Sequence, residues 1–395
     1  MFGFELGREF KLSIAEILSA FKNKEVFFVN KKILILSGIS KDEILEKSKF
    51  LGGTIKIFEI LGSKNTSENH KKDIEEIFLN DFGIEKYIGK FNYGVNIFGN
   101  TSLKTDDLLK VSKNAVKSFG LNPRFLNHDK KNLSSIVIIK EALIKKETDF
   151  NFLFVEDKLF FGKTIFVQDI YSYSNRDYSK SRDMNVGMLP PKLAQMMINL
   201  GNNFLKKDLV IYDPFVGLGT VLIESVYMGN KLVFGSDKSE SMVSSSTKNL
   251  EKLLKNFKFD FKIIKQNAKY INEVDFLDKV DLIVSEGFLG EIMTKNNISI
   301  ERIDRSKKIL IDLYISFFEN LKKVNYKNNI VISFPFWDIK GKYLFFDEVY
   351  DIIKKDFLVI NLLENNTFQS TKEGSLLYKR DSQLVGREIF LLKLK

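Results

Sequence analysis

Asp213-Pro214-Phe215-Val216-Gly217-Leu218-Gly219-Thr220 follows the apolar run Leu209-Val210-Ile211-Tyr212 and precedes the stretch Thr220 to Met228. A short apolar run, a glycine turn and a helical stretch in that order predict a strand, a tight turn and a helix, the opening unit of an open α/β sheet. Gly217 and Gly219 let the backbone turn and approach a ligand with no Cβ in the way, and the helix that follows offers free N–H groups at its start.

Outward from this unit the alternation continues. Leu232-Phe234, Phe259-Ile264 and Leu282-Val284 read as strands, with a helix over Glu240-Leu254 between the first two. Ile309, Leu313, Phe317 and Leu321 recur every four residues and predict a helix ahead of a strand at Ile330-Ser333. A helix near Val349 follows, then Phe357-Leu363 and Ile389-Leu394, two apolar segments able to pair antiparallel and close one sheet edge. The expected fold is therefore α/β, a mostly parallel Rossmann-like sheet with an antiparallel edge. Upstream, Pro190 and Pro191 stand at the start of an apolar helix, Leu193-Leu200, ending at Gly201.

The first part of the chain mixes strand candidates (Val26-Val29, Ile33-Leu36, Gly94-Phe98, Ile136-Ile139) with a helix at Ile14-Phe21, an α+β pattern. Between Gln168 and Gly187 the sequence turns polar, with Tyr171-Ser172-Tyr173-Ser174-Asn175-Arg176 at its head. This reads as a surface connector and divides the chain into residues 1–167, a linker at 168–186 and a second domain over 187–395.

The ligand is constrained by what surrounds the turn. Position three after Gly219 is Leu222, against a dinucleotide fingerprint, and no Lys follows Gly219, against a phosphate loop. Asp213 would repel a pyrophosphate and suits an ammonium group. Asp237 ends the second strand, where a carboxylate accepts both hydroxyls of a ribose, and Asn267 follows the third, where an amide pairs with an adenine edge. Ammonium, ribose and adenine without a pyrophosphate describe S-adenosylmethionine.

Composition excludes other chemistry. The 395 residues contain no Cys and two His, His70 and His128, so disulfides, thiolate metal sites and a Cys nucleophile are out, and no metal is expected. No apolar run reaches membrane-spanning length and no signal segment opens the chain, so a soluble cytoplasmic protein is expected. The net charge of +10 favours a polyanionic partner, although abundant Lys, Asn, Ile and Phe also follow from AT-rich coding.

At these residues the chain resembles the THUMP-containing tRNA guanine-N2 methyltransferases. Gly187-Met188-Leu189-Pro190-Pro191-Lys192-Leu193-Ala194 and Asp213 to Thr220 are similar to that family's motifs, and Phe4-Glu5-Leu6-Gly7-Arg8-Glu9 and Asn132-Leu133-Ser134-Ser135 match its N-terminal modules more loosely. The resemblance implies a class I methyltransferase domain, ferredoxin-like and THUMP modules over residues 1–167, S-adenosylmethionine as cofactor and tRNA as substrate. It also implies cofactor contacts at Asp213, Phe215, Gly217, Gly219, Thr220, Asp237, Lys238, Asn267 and Ala268.

The departure comes at the fourth strand. The family ends it with Asp or Asn, two prolines and an aromatic residue, where this chain has Ser285-Glu286-Gly287-Phe288. Glu286 is then the candidate acceptor for the hydrogens of an exocyclic amine and Phe288 the stacking surface for the base. Arg380, Gln383 and Arg387 near the C-terminus are candidate RNA contacts. Two alternatives stay open at this point: methylation of rRNA or DNA bases, and an inactive RNA-binding protein that retains S-adenosylmethionine.

Overall fold

A computed structural model describes residues 1–127, 132–178, 189–202, 206–295, 297–363 and 367–395. It divides into two compact units. One comprises Met1–Arg8, Asn23–Lys49 and Thr54–Ser172; the other comprises Glu9–Lys22, Phe50–Gly53 and Tyr173–Lys395. The two short early segments in the second unit lie on the N-terminal side of the division that the sequence suggests at 168–186.

The first unit is built on one eight-stranded sheet. Its central strand, Thr54–Asn65, pairs antiparallel with Phe2–Leu6 on one side and with Lys158–Val167 on the other. The expected α+β modules therefore share a single sheet. Val26-Val29 and Ile33-Leu36 lie in the strands Glu25–Val29 and Ile33–Ser37, and Gly94-Phe98 lies in Lys90–Gly99. Ile136-Ile139 is not a strand: it sits in the helix Ser135–Lys140, in which Ile138 is buried and Ile136 is 43% exposed. A short apolar run carries no period that separates the two possibilities.

In the second unit the sheet runs, by its strands in order, Asp260–Lys265, Leu232–Asp237, Val210–Asp213, Leu282–Ser285, Asn329–Ile339, Val385–Leu394 and Phe357–Val359. The first five are parallel. Val385–Leu394 pairs antiparallel with Asn329–Ile339 and with Phe357–Val359, which is the expected antiparallel edge. Strand order reverses around Val210–Asp213, so the carboxyl ends of that strand and its neighbours flank a crevice where such sheets bind ligands.

The segment read as a surface connector begins as the helix Ile170–Tyr178. Asp169 Oδ1 accepts the N–H groups of Tyr171 and Ser172, each at 3.1 Å, which starts the helix. Tyr173 and Arg176 are buried: the guanidinium bonds Glu224 at 3.1 Å and lies 4.2 Å from the Tyr173 ring centroid and 4.6 Å from that of Tyr227. They anchor the helix end to the sheet unit instead of facing solvent. Residues 179–188, including Gly187 and Met188, and also His128, lie outside the described residues.

The helix Phe10–Ala20 packs on Pro191–Asn202 within the second unit. Glu16, fully buried, accepts Gly52 N (2.8 Å) and Asn199 Nδ2 (2.6 Å) on one oxygen and Gly53 N (2.8 Å) on the other. Burial pushes its carboxyl up to about 7 against these donors. A Cβ at Gly52 would meet Lys192 O at 2.4 Å, so the backbone approach requires glycine. Among the described residues no helix is long and apolar enough to cross a membrane.

Candidate active site

The glycine turn bends because Gly217 and Gly219 have φ of +50° and +84°. Gly219 N bonds Val216 O at 2.7 Å and Val216 N bonds Ser236 O at 2.9 Å, tying the turn to the neighbouring strand. Nothing crowds the missing Cβ of Gly217: the nearest atom to that position is 3.9 Å away. The turn forms one wall of a cavity of about 600 Å³.

Three strand ends supply its polar groups. Asp213, 3% exposed, accepts Ser285 Oγ at 2.6 Å and Phe215 N at 3.0 Å, both on Oδ1. Among the described residues no donor reaches its Oδ2. Burial, reinforced by Asp237 and Glu286 nearby, outweighs these bonds and pushes the Asp213 carboxyl up to about 7. Asp237 accepts Ser239 N on Oδ1 at 2.9 Å and Gly217 N on Oδ2 at 3.1 Å. Each oxygen keeps a further lone pair for a ligand. Asn267 accepts Lys269 N at 3.1 Å, which fixes the loop carrying Ala268.

Glu286 and Phe288 line the same cavity. Their loop is held tightly: Gly287 has φ +71°, and a Cβ there would lie 2.6 Å from the Tyr314 hydroxyl and 2.7 Å from Ser333 O. Gly287 N bonds Ser285 Oγ at 3.1 Å, Ser333 Oγ donates to Glu286 O, and Tyr314 OH donates to Phe288 O at 3.0 Å. Lys238 Nζ sits 5.1 Å from the Phe288 ring centroid. Burial raises the Glu286 carboxyl above its ordinary range and Arg387 opposes that shift.

The cavity brings together Asp213, Phe215, Gly217, Thr220, Asp237, Lys238, Asn267, Ala268, Glu286 and Phe288; Gly219 caps the helix behind it. Arg380, Gln383 and Arg387 are not among its lining residues. Arg387 is 2% exposed, with Nε on Glu286 and Nη1 on Gln383 Oε1 at 3.2 Å. Arg387, a candidate contact for RNA phosphate or a flipped base, thus bonds a carboxylate of the protein, because the antiparallel register turns this residue inward. Arg380 is exposed.

Sequence reasoning missed Met242 and the wall formed by Ile309, Asp312 and Leu313. The helix Ile300–Lys323 buries Ile303, Leu310, Tyr314, Phe317 and Leu321. Ile309 is 52% exposed and borders the cavity. Among the described residues no group of His, Asp or Glu could hold a metal.

Residues 179–334 match the UPF0020 family model, described as RMKL-like, methyltransferase domain. The C-terminal fold is that of the class I methyltransferases. Over its whole length the chain is similar to TrmN from Thermus thermophilus, at 13% identity and a TM-score of 0.55, covering 100% of this chain and 99% of that one. A possible methylase from Clostridium difficile 630 is similar at 12% identity and a TM-score of 0.52, covering 98% and 97%. By sequence the chain is 30% identical to the tRNA (guanine(10)-N2)-dimethyltransferase of Methanocaldococcus jannaschii, over 47% of this chain and 57% of that protein. The enzyme of the same description from Methanothermobacter thermautotrophicus is 36% identical over 25% and 27%. The chain therefore spans about half the length, or less, of these two relatives.

Proposed function

We propose that this protein is an S-adenosylmethionine-dependent methyltransferase acting on the exocyclic N2 amine of a guanosine in tRNA. The observation that carries the reading is the convergence of Asp213, Asp237, Asn267, Glu286 and Phe288 on one cavity. The first three suit the ammonium, ribose and adenine parts of the cofactor, and the uncrowded turn at Gly217 leaves room for its backbone-side approach. S-adenosylmethionine supplies an electrophilic methyl group when bound.

The chain's own residues then orient and desolvate. Asp237 has lone pairs open to ribose hydroxyls, and Asp213 Oδ2 is open to an ammonium group. The Phe288 ring offers a face to a base, and Glu286 offers an acceptor to its amine. The relatives named as tRNA guanine-N2 methyltransferases support the substrate class. The net charge of +10 and the exposed Arg380 suit a polyanion.

The test is transfer of labelled methyl from S-adenosylmethionine to bulk tRNA, with the modified nucleoside identified by mass spectrometry. Labelled N2-methylguanosine is expected with the unsubstituted chain, and its loss with Asp237→Ala. Cofactor binding without label in any RNA would overturn the catalytic reading; label in rRNA or DNA alone would overturn the substrate.

A further inference from the structure

Methylation of an exocyclic amine leaves a proton to be disposed of. The amine nitrogen gives its lone pair to the methyl carbon while the carbon–sulfur bond breaks and sulfur keeps the bonding pair. The nitrogen then carries one proton in excess, and some acceptor must take it. On the loop after the fourth strand several acceptors already hold a donor. Ser285 Oγ serves Asp213 and Gly287 N, the Glu286 carbonyl takes the Ser333 hydroxyl, and the Phe288 carbonyl takes the Tyr314 hydroxyl. Among the described residues no donor reaches Glu286 Oε2, on a side chain that lines the cavity.

Resting on the methyltransferase reading and on Glu286 as its acceptor for the amine, we propose that Arg387 is the positioning residue that holds the Glu286 carboxylate in place to take the proton of the methylated amine. The geometry is specific. Arg387 bonds Glu286 Oε1 through Nε, leaving the second oxygen to the substrate side. The guanidinium is itself held by Gln383 Oε1 at 3.2 Å and lies 5.9 Å from the Tyr378 ring centroid. Its strand position is set by pairing with Pro335 on one side and Tyr378 on the other. A carboxylate this enclosed would otherwise hold its proton, which would leave it useless as an acceptor near neutral pH.

The other groups facing Glu286 are Asp213, at the end of Val210–Asp213, and the Tyr314 hydroxyl from the long helix, both of which its charge pushes up. Lys238 stands over the neighbouring Phe288 ring. Arg387 is thus the cation in direct contact with the carboxylate. It is not among the residues that line the cavity.

The experiment uses the full chain with Glu286→Gln, Arg387→Met and Arg387→Lys. Carbon NMR of protein labelled at the glutamate carboxyls, with the Glu286 signal assigned by its loss in Glu286→Gln, follows ionisation independently of turnover. Calorimetry follows cofactor affinity, and single-turnover methyl transfer to tRNA is measured against pH. Arg387→Met is expected to move the Glu286 midpoint and the acidic limb of the rate profile together to higher pH with cofactor affinity retained. Arg387→Lys should restore both in part. Glu286→Gln should cut the transfer rate by roughly 100-fold or more.

A limb that stays in place in Arg387→Met, or a Glu286→Gln rate close to that of the unsubstituted chain, overturns the positioning role alone. No transfer by the unsubstituted chain at any pH overturns the methyltransferase reading and the positioning role with it.

Discussion

Asp149 and Asp213 are carboxylates at 1% and 3% exposure, one in each sheet, and their surroundings differ in how their oxygens are used. Asp149 accepts Asn96 Nδ2 at 2.9 Å on one oxygen and Thr164 Oγ1 at 2.5 Å on the other, with Lys56 Nζ at 3.6 Å. Lys56, fully buried, also donates to Asn96 Oδ1 at 2.8 Å. Both Asp149 oxygens are thus bonded within the protein, and Lys56 Nζ also stands 3.7 Å from Glu5 Oε2. Asp213 instead gathers its two donors on one oxygen and leaves the other at a cavity wall. A buried charge whose bonds are complete holds a fold together; one with an oxygen left over at a cavity is available to a ligand.

The largest effect that would break this contrast lies in the Asp149 cluster. Lys56→Ala leaves the Asp149 charge without its cation, so unfolding should cost about 3–5 kcal/mol less than in the unsubstituted chain, read from denaturant midpoints. Replacing the pair together, with Lys56→Met and Asp149→Leu, should cost much less. A small effect of Lys56→Ala would show that the cluster is solvated after all.

The open carboxylate should show itself through pH. Asp213 is pushed up to about 7 by burial, and a bound ammonium favours its ionised form, so S-adenosylmethionine binding should tighten as pH rises through about 7 and level off above it. The slope below that point approaches about tenfold per pH unit. Asp213→Asn should flatten it in calorimetric titrations. The same raised value has the opposite sign for folding: stability is full below the unfolded carboxylate range and is lost as pH rises through about 7. Asp213→Asn should therefore raise the Tm at pH 8, and a fall would mean that the charge is needed by the fold.

The smallest expected effect concerns the surface. Arg380 is exposed, and its Nε lies 3.4 Å from the Tyr378 hydroxyl. Arg380→Ala should change stability by no more than about 0.5 kcal/mol while reducing the salt dependence of tRNA affinity by about one counterion. An unchanged salt slope would remove Arg380 from the RNA contact surface.

The strand–turn–helix alternation of the second unit was legible because each piece carries its own local signal, and so was the set of strand-end polar residues. The wall at Ile309 was not. A four-residue spacing advances about 40° beyond a full turn at each step, so Ile309, Leu313, Phe317 and Leu321 wind around the helix from the cavity to the core instead of sharing one face. The burial of Arg387 was not legible for a different reason: whether a strand residue faces in or out depends on register with Asn329–Ile339, a nonlocal pairing that its own neighbourhood does not encode. Tyr173 and Arg176 show the same limit, since a polar stretch looks like a connector until its aromatic and acidic partners far along the chain are known.

The placement of Glu9–Lys22 in the second unit has a consequence for synthesis. Leu12, Ile14 and Ile17 are fully buried in the finished protein, yet the Pro191–Asn202 helix on which their helix packs is translated some way behind. At ordinary elongation rates the interval is roughly 10 to 30 s. During that time these apolar residues lack the helix that buries them. The chain's early life on the ribosome is therefore a wait, in which a chaperone can occupy these residues before their permanent neighbour arrives.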